Sequence, residues 1–361
     1  MTGMHTGQLA LITGGAGFIA SNVADRLLRD GWRVRLFDNL SRPGVEQNLA
    51  WLERTHPGRT ASGEPRVEHV LGDVRDINAV RAAMTGVSRV FHFAAQVAVT
   101  TSLDDPTTDF EINARGTLNV LEAIRALEQR PSLLFTSTNK VYGHLRDLPL
   151  RVRARRYVPE DVEIARQGIS ETRALDFHSP YGCSKGSAEQ YVLDYARTFD
   201  LPATVFRMSC IYGPHQFGTE DQGWVAHFLI QALKNSPLTL YGDGMQVRDV
   251  LYADDLVDAM LRAHDQIAQI KGEAFNIGGG PASTISLLEL IDLIGELLGK
   301  RPAYRLQPWR AADQHYYVSN TCKFQKATGW SPRVQVHDGV ARLAEWLSRF
   351  GAARRRARVA S

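Results

Sequence analysis

The sequence predicts an α/β fold in which helices cover both faces of a parallel sheet. Two observations support this prediction. Short apolar runs that suit buried strands alternate with longer segments whose apolar residues recur at helical spacing. In addition, residues 9–38 have the order strand, glycine turn, helix, strand, acidic residue. Because this order is typical of a dinucleotide-binding unit, we expect a doubly wound sheet of the Rossmann type.

The glycine turn gives the first functional prediction. Gly14 allows a tight bend after the first strand, and Gly17 lets the backbone approach a pyrophosphate whose charge meets the N–H groups at the helix start. Asp38 can accept hydrogen bonds from both ribose hydroxyls of NAD, and its charge would repel the additional phosphate of NADP. NAD is therefore favoured, although Arg42 lies close enough along the chain to keep NADP open.

The remaining elements follow in order by the same patterns. Gly31 suits the end of the first helix. The segment 44–65 is polar and irregular, with one short helix inside it. Further strands are predicted at 34–37, 67–71, 90–93, 133–135 and 203–207, and further helices at 48–54, from 113, from 181 and at 285–298.

Strand ends mark where a ligand would bind, because the crevice of an open parallel sheet lies beyond the carboxyl ends of its strands. Asp73 and Val74 follow the third strand, which places Asp73 to meet the adenine. Asp73 equally suits the cap of a following helix. Ala94 and Ala95 follow the fourth strand and would let a cofactor pass closely.

A tyrosine and a lysine predict the reaction chemistry. Tyr181 and Lys185 lie one turn apart on the same face of an amphipathic helix. A tyrosine of ordinary pKa, about 10, needs its phenolate stabilised to act as a base near neutral pH, and an ammonium and a nicotinamide cation can do this. Thr138, at a strand end, offers a hydroxyl to the same substrate oxygen. The set predicts proton transfer by tyrosine coupled to hydride transfer by nicotinamide.

Length and composition limit the remaining possibilities. With 361 residues, 44% of them hydrophobic, the chain forms one large or two fused domains. A net charge of +3 and scattered basic residues give no reason to expect a nucleic-acid partner. The three cysteines, Cys183, Cys210 and Cys322, lack metal-binding spacing, and we expect no metal. No apolar run is long enough to cross a bilayer, so we expect a cytoplasmic protein without a membrane partner.

These motifs together resemble the extended short-chain dehydrogenase/reductase family of sugar-nucleotide epimerases and dehydratases, over about residues 9–346. The resemblance rests on residues 13–18, 38–40, 181–185, 212–214, 248–250 and 276–278. The sequence departs from the family pattern at Ala20, which replaces the third glycine, and at Ser209, which stands where many members have asparagine.

The resemblance implies roles for particular residues. Catalysis falls to Thr138, Tyr181 and Lys185. The cofactor is held by Gly14, Gly17, Phe18, Ile19, Asp38, Asn39, Asp73, Val74, Ala94, Ala95, Lys185 and Met208. The substrate is held by Gln96, Thr138, Asn139, Lys140, Ser209, Gln222, Arg248, Arg310 and Asp313. Of these, Arg248 and Arg310 would grip the diphosphate, for which a guanidinium offers a matching fork, and Asp313 would bind a ribose hydroxyl.

Four longer stretches, 96–102, 137–143, 175–186 and 221–225, are similar to one subgroup of the family. This similarity implies NAD that stays bound through the cycle, a CDP-linked 3,6-dideoxyhexose substrate and inversion at C2. In the family's dehydratases an Asp-Glu pair follows the strand-end threonine, but Asn139 and Lys140 stand here. Direct oxidation at C2 is therefore favoured over proton removal there, although a desolvated Lys140 could act as a base.

The predicted domains are discontinuous. A cofactor domain at 8–206 is completed by about 249–278, a smaller substrate lobe comprises 207–248 and 279–348, and 349–361 form a basic, disordered tail. The arginine-rich segment 144–177 is either a solvated loop or a lid that pairs with the substrate diphosphate. The wide apolar arcs of the helices from 113 and 181 predict a homodimer or homotetramer.

Three functions remain open from the sequence. The favoured one is an epimerase of a nucleotide sugar, acting at C2 or, in another nucleotide sugar, at C4. The second is a net NAD(P)-dependent reductase or dehydrogenase of a nucleotide sugar. The third is an NAD-sensing binding module, which the complete set of Thr138, Tyr181 and Lys185 disfavours.

Overall fold

The computed structural model describes residues 7–310 and 313–359. Its strands are β1 (Leu9–Thr13), β2 (Arg33–Asp38), β3 (Val67–Leu71), β4 (Val87–His92), β5 (Ser132–Thr138), β6 (Leu150–Arg153), β7 (Arg156–Pro159), β8 (Ala203–Met208), β9 (Cys210–Tyr212), β10 (Leu238–Tyr241), β11 (Val247–Tyr252), β12 (Ala274–Ile277), β13 (Thr284–Ser286), β14 (Tyr304–Gln307) and β15 (Tyr316–Tyr317).

Its helices are α1 (Phe18–Arg29), α2 (Glu46–Thr55), α3 (Ile77–Ala83), α4 (Val99–Asp104), α5 (Pro106–Phe110), α6 (Gly116–Arg125), α7 (Val162–Gln167), α8 (Ser179–Thr198), α9 (Trp224–Leu233), α10 (Ala253–Asp265), α11 (Ile267–Ile270), α12 (Leu287–Leu298), α13 (Cys322–Thr328) and α14 (Val336–Val359). A π-helical turn, Glu111–Arg115, joins α5 to α6. None of the helices in the described ranges is long and apolar enough to cross a membrane.

The large sheet confirms the predicted fold class. Its seven strands are all parallel, in the order β12-β8-β5-β4-β1-β2-β3. Successive side chains of β1 point to opposite faces, so Ile12 packs with α1 and α10 while Leu11 packs with α6 and α8. Both faces of the sheet are therefore covered, as a doubly wound parallel sheet requires.

A smaller lobe is built on the carboxyl side of this sheet. Strand β11 pairs with β9, β13 and β15, and β10 pairs with β14. Helices α9, α12 and α14 supply the lobe's core with apolar side chains such as Leu229, Ile291 and Leu343. Because β11 belongs to the small sheet with β9, β13 and β15, residues 249–252 lie in the smaller lobe, although we predicted them as part of the cofactor domain.

The arginine-rich segment 144–177 is not a simple solvated loop. It contains the hairpin β6–β7 and helix α7, and the Tyr157 backbone N–H donates to the Met245 carbonyl at 3.0 Å. Arg156 forms an ion pair with Glu289 at 2.5 Å, and Arg155 forms one with Asp292 at 3.3 Å. These arginines bind carboxylates of the chain itself, which gives no support to a lid that pairs with a diphosphate.

Two further local predictions differ from the structure. Ile285 lies in a strand, and the predicted helix begins only at Leu287, because Ser286 and Glu289 form a capping box that fixes the helix start. At the chain end, α14 continues to Val359, so that most of the segment predicted as a disordered tail is helical. Its content of alanine and arginine, both good helix formers, is consistent with this extension.

Candidate active site

The glycine turn forms one wall of a cavity at the carboxyl ends of β1 and β2. The Gly14 N–H donates to the Phe37 carbonyl at 2.9 Å, and Gly14 has φ of 66°. A Cβ at this position would lie 2.9 Å from the Ala94 backbone nitrogen, so only glycine fits the turn. Gly17 stands at the N-terminus of α1, where backbone N–H groups can meet an anion.

Asp38 is fixed against this turn. Its Oδ2 accepts from the Ala16 N–H at 3.0 Å, and its Oδ1 accepts from the Leu40 N–H at 2.7 Å. Asp73 accepts from the Asn39 amide at 2.9 Å, and its hydrogen bond with Arg75 lowers its pKa to about 2. A carboxylate at each of two adjacent strand ends suits the hydroxyls and amine of an adenosine.

The alternative of Asp73 as a helix cap is wrong, because the side chain of Asp76 caps α3. The cofactor cavity brings together ten of the predicted cofactor residues: Gly14, Gly17, Phe18, Ile19, Asp38, Asn39, Asp73, Val74, Ala94 and Ala95. Arg42 lines the same cavity. A glycine cradle at a helix N-terminus, followed by a fixed carboxylate, fits a dinucleotide.

The catalytic cavity adjoins this one and contains Thr138, Tyr181, Lys185 and Met208. Thr138 ends β5, and the other two catalytic candidates lie one turn apart near the start of α8. The Tyr181 phenol is hydrogen-bonded to Thr138. The Lys185 ammonium lies 4.2 Å above the centre of the Phe135 ring, an arrangement that favours the cation.

Burial dominates the electrostatics of this pair. It raises the pKa of Tyr181 to about 12 and lowers the pKa of Lys185 to about 7. The hydrogen bond from Thr138 partly offsets the first shift, and the carboxylates of Asp109 and Glu189 partly offset the second. Tyr181 therefore keeps its proton near pH 7 unless further positive charge is brought close to it.

Two buried networks that we did not predict support these residues. The Ser184 hydroxyl donates to Asp109 at 2.5 Å, and the Asn113 amide in the π-helical turn donates to both of them. On the other side of α8, Glu189 accepts from Ser137 at 2.6 Å and forms an ion pair with Arg207. These contacts join residues that are far apart along the chain, so no local sequence pattern predicts them.

The substrate cavity opens from the catalytic one and contains six of the predicted substrate residues besides Thr138: Asn139, Lys140, Gln222, Arg248, Arg310 and Asp313. The Arg248 guanidinium contacts Asp313 at 2.8 Å, with the Lys140 ammonium 4.0 Å from the same carboxylate oxygen. Burial lowers the pKa of Lys140 to about 8. Asp313 thus lies against two cations, and its role toward a ribose hydroxyl stays a prediction.

Arg310 is held by the loop 219–223. Its guanidinium contacts Asp221 at 3.2 Å and the Glu220 carbonyl at 3.1 Å, and it lies 3.9 Å above the Tyr241 ring. Gln222, in the same loop, lines the cofactor, catalytic and substrate cavities. This loop therefore bounds all three cavities.

Two predicted substrate residues have other partners. The Gln96 side chain bonds to the N–H and carbonyl of Ala98, and its neighbour Val97 lines the cavities instead. Ser209 lies at the edge of the catalytic cavity, but its hydroxyl donates to Asp249. The next residue, Cys210, lines both the catalytic and the substrate cavity, which the sequence reasoning missed.

Comparisons with known proteins agree with this arrangement. The model of the "NAD dependent epimerase/dehydratase family" matches residues 10–278. The chain is 44% identical to CDP-paratose 2-epimerase of Salmonella typhi over 345 residues, which cover 94% of this chain and 98% of that protein. It is 30% identical to UDP-glucose 4-epimerase of Mycolicibacterium smegmatis, over 93% of this chain and 97% of that protein.

Solved structures show the same similarity. The Thermus thermophilus UDP-glucose 4-epimerase in complex with NAD matches with a TM-score of 0.77 and 30% identity, over 94% of this chain and 99% of that one. The Bacillus cereus UDP-glucuronic acid 4-epimerase, in complex with UDP-glucuronic acid and NAD, matches with a TM-score of 0.80 and 25% identity, over 95% of this chain and 100% of that one.

Proposed function

Since the chain belongs to the NAD-dependent epimerase/dehydratase family, we propose that it is an isomerase that inverts C2 of a CDP-linked 3,6-dideoxyhexose such as CDP-paratose. The observation that carries this proposal is the 44% identity to CDP-paratose 2-epimerase across nearly the whole of both chains. The matches to 4-epimerases are weaker, at 30% identity or less.

The catalytic cavity supports proton transfer at a carbinol. Tyr181, whose phenolate Lys185 and the positive charge of a bound nicotinamide would together stabilise, takes the proton of the C2 hydroxyl, and Thr138 hydrogen-bonds the same oxygen. The cofactor cavity would hold NAD, which would supply the acceptor for the C2 hydride and the donor for its return, with no net change in the cofactor. Once the ketone has presented its other face, Tyr181 gives the proton back, and the configuration at C2 is inverted.

The residues beside Thr138 favour oxidation at C2 itself. Oxidation at a neighbouring carbon would acidify the C2 proton and would need a second base. The positions next to Thr138 hold Asn139, whose amide donates to Gln314 at 3.1 Å, and Lys140, which lies close to Asp313. Neither supplies a carboxylate. Burial lowers the pKa of Lys140 to about 8 while Asp313 opposes that shift, so the lysine stays mostly protonated at neutral pH.

The experiment follows NMR spectra of CDP-, GDP-, dTDP- and UDP-sugars in heavy water. We expect turnover of CDP-paratose without added cofactor, no solvent deuterium at C2, and retention of deuterium from C2-labelled substrate. Solvent deuterium at C2 would reject direct oxidation and make Lys140 the first candidate base. Inversion at C4 of another nucleotide sugar would replace C2 inversion as the function, and stoichiometric consumption of added NAD(P)H would indicate a net reductase.

We also propose that the protein is a homodimer or a homotetramer of such dimers. Exposed apolar side chains lie on three neighbouring helices: Leu103 on α4, Phe110 on α5 and Tyr191 on α8, each about half exposed. Helices α4 and α5 both pack on α8, so these side chains belong to one helical layer. Sedimentation at micromolar concentration tests the proposal, and a monomer would contradict it.

A further inference from the structure

The catalytic and substrate cavities meet at a junction, where the reacting carbon of a bound sugar would lie. The side chains that line both cavities fall into two chemical groups. The polar group is Thr138, Asn139, Tyr181 and Gln222, and the other group is Val97, Cys210 and Trp224. We call this second group the apolar wall.

The apolar wall offers almost no hydrogen bonds to a ligand. The single donor of Trp224, its indole N–H, is used by the Cys210 sulfur at 3.4 Å. Burial raises the pKa of the Cys210 thiol, which therefore stays neutral. A thiol is a weak donor and acceptor and packs as a small hydrophobic group. The Val97 side chain is a hydrocarbon and can form no hydrogen bond.

A sugar hydroxyl placed against this wall would lose its bonds to water and gain none in return. Such desolvation is unfavourable, whereas a carbon without a hydroxyl loses nothing on transfer. The wall therefore favours sugars that lack hydroxyls on the carbons that contact it. A hydrophobic surface cannot reject an added hydroxyl completely, and discrimination of up to about 100-fold is the usual limit.

We propose that Cys210, which accepts from the Trp224 indole and lines the same two cavities as Val97, is the specificity-determining residue that accepts the deoxygenated carbons of the sugar and disfavours fully hydroxylated hexoses. This inference rests on the proposed function, because it assumes that a nucleotide sugar reacts at Tyr181. The apolar wall would explain why a 3,6-dideoxyhexose is the preferred class of sugar.

The test compares two probes that share the same nucleotide. CDP-paratose lacks hydroxyls at C3 and C6, and CDP-glucose carries both. Dissociation constants of both probes and of CDP alone are measured by calorimetry for the holoenzyme, for Cys210→Ser and for Cys322→Ser. The last is a matched control, because Cys322 is exposed and lies on α13, outside the three cavities.

We expect the wild type and Cys322→Ser to bind CDP-paratose about 10- to 100-fold more tightly than CDP-glucose. Cys210→Ser exchanges one atom and adds a hydroxyl that can pair with the sugar, so the ratio should fall about 10-fold while the affinity for CDP stays unchanged. Val97→Thr, which adds a hydroxyl to the same wall, should lower the ratio in the same direction.

The outcomes separate this inference from the function on which it rests. A ratio that Cys210→Ser leaves unchanged overturns the role of Cys210, whatever Val97→Thr does, and leaves the proposed epimerase activity intact. Equal affinity of the wild type for the two probes also overturns it. If the wild type binds neither CDP-sugar, the proposed function fails, and this inference fails with it.

Discussion

Lys185 links catalysis to folding stability through its buried charge. The residue is 3% exposed, and burial lowers its pKa to about 7. In an unfolded chain the pKa of lysine is about 10.4. Because the folded value is the lower one, the unfolded chain binds more protons between about pH 7 and pH 10. The free energy of unfolding therefore rises with pH through that window.

Replacing Lys185 with methionine removes this dependence, and its size follows from the two pKa values. The protonation equilibrium of Lys185 destabilises the fold by ~4 kcal/mol at pH 7 and by ~2 kcal/mol at pH 9. We predict that the wild type gains about 2 kcal/mol of unfolding free energy relative to Lys185→Met between these pH values. Below pH 7 the difference between the two proteins should become constant.

Urea denaturation at pH 7, 8 and 9 measures this change, with Lys326→Met as the control because Lys326 is exposed on α13. Lys140 is present in all three proteins, so its own pH dependence cancels from the differences. A pH-independent change in the unfolding free energy of Lys185→Met, such as one from weaker cofactor retention, also cancels when values at different pH are compared. A wild-type advantage over Lys185→Met that stays constant from pH 7 to pH 9 would refute the reasoning.

Three further predictions concern the same machinery. Tyr181→Phe should lower kcat by about 100- to 10,000-fold while the purified protein keeps its NAD. Turnover followed by NMR and the cofactor content of the purified protein measure the two effects. A wild-type rate under conditions where chemistry is limiting would contradict the role of Tyr181 as the base. Glu189→Ala should lower the unfolding free energy by about 3–5 kcal/mol, because it leaves the buried Arg207 charge without its partner. A loss below about 1 kcal/mol in urea denaturation would show that the unpaired Arg207 charge does not destabilise the fold this much. Gly14→Val should abolish NAD retention, since its Cβ would meet the Ala94 backbone; unchanged cofactor content after purification would show that the turn can shift.

The cofactor half of the site could be predicted from the sequence because its determinants are local. A strand, a glycine turn and an acidic residue at fixed spacing define the cradle, and Tyr181 and Lys185 are one helical turn apart. The substrate half depends on contacts between distant segments. Glu189 and Arg207 find each other only in the folded chain.

The presence of Cys210 beside Ser209 in the lining of the catalytic cavity was not predicted, for a different reason. Strand β8 ends at Met208 and β9 begins at Cys210, so Ser209 lies at a break between two strands of different sheets. No sequence pattern fixes the register of the side chains at such a break, so the sequence does not show which of them line a cavity. The bonds of the Gln96 side chain to the backbone two residues ahead were not predicted either, and its role toward the substrate stays a prediction.

The hairpin β6–β7 restricts how the molecule can open. It leaves the large sheet after β5 and returns to α8, yet its ion pair from Arg156 to Glu289 and its backbone bond from Tyr157 to Met245 are both made with the smaller lobe. A movement of the hairpin away from the smaller lobe would break these bonds together. We expect a sugar to be admitted by movement of the short loop 219–223, which borders the cavities and is held by Arg310 through partly exposed contacts. In such an enzyme the release of product would depend on the lifetime of the few contacts between Arg310 and this loop.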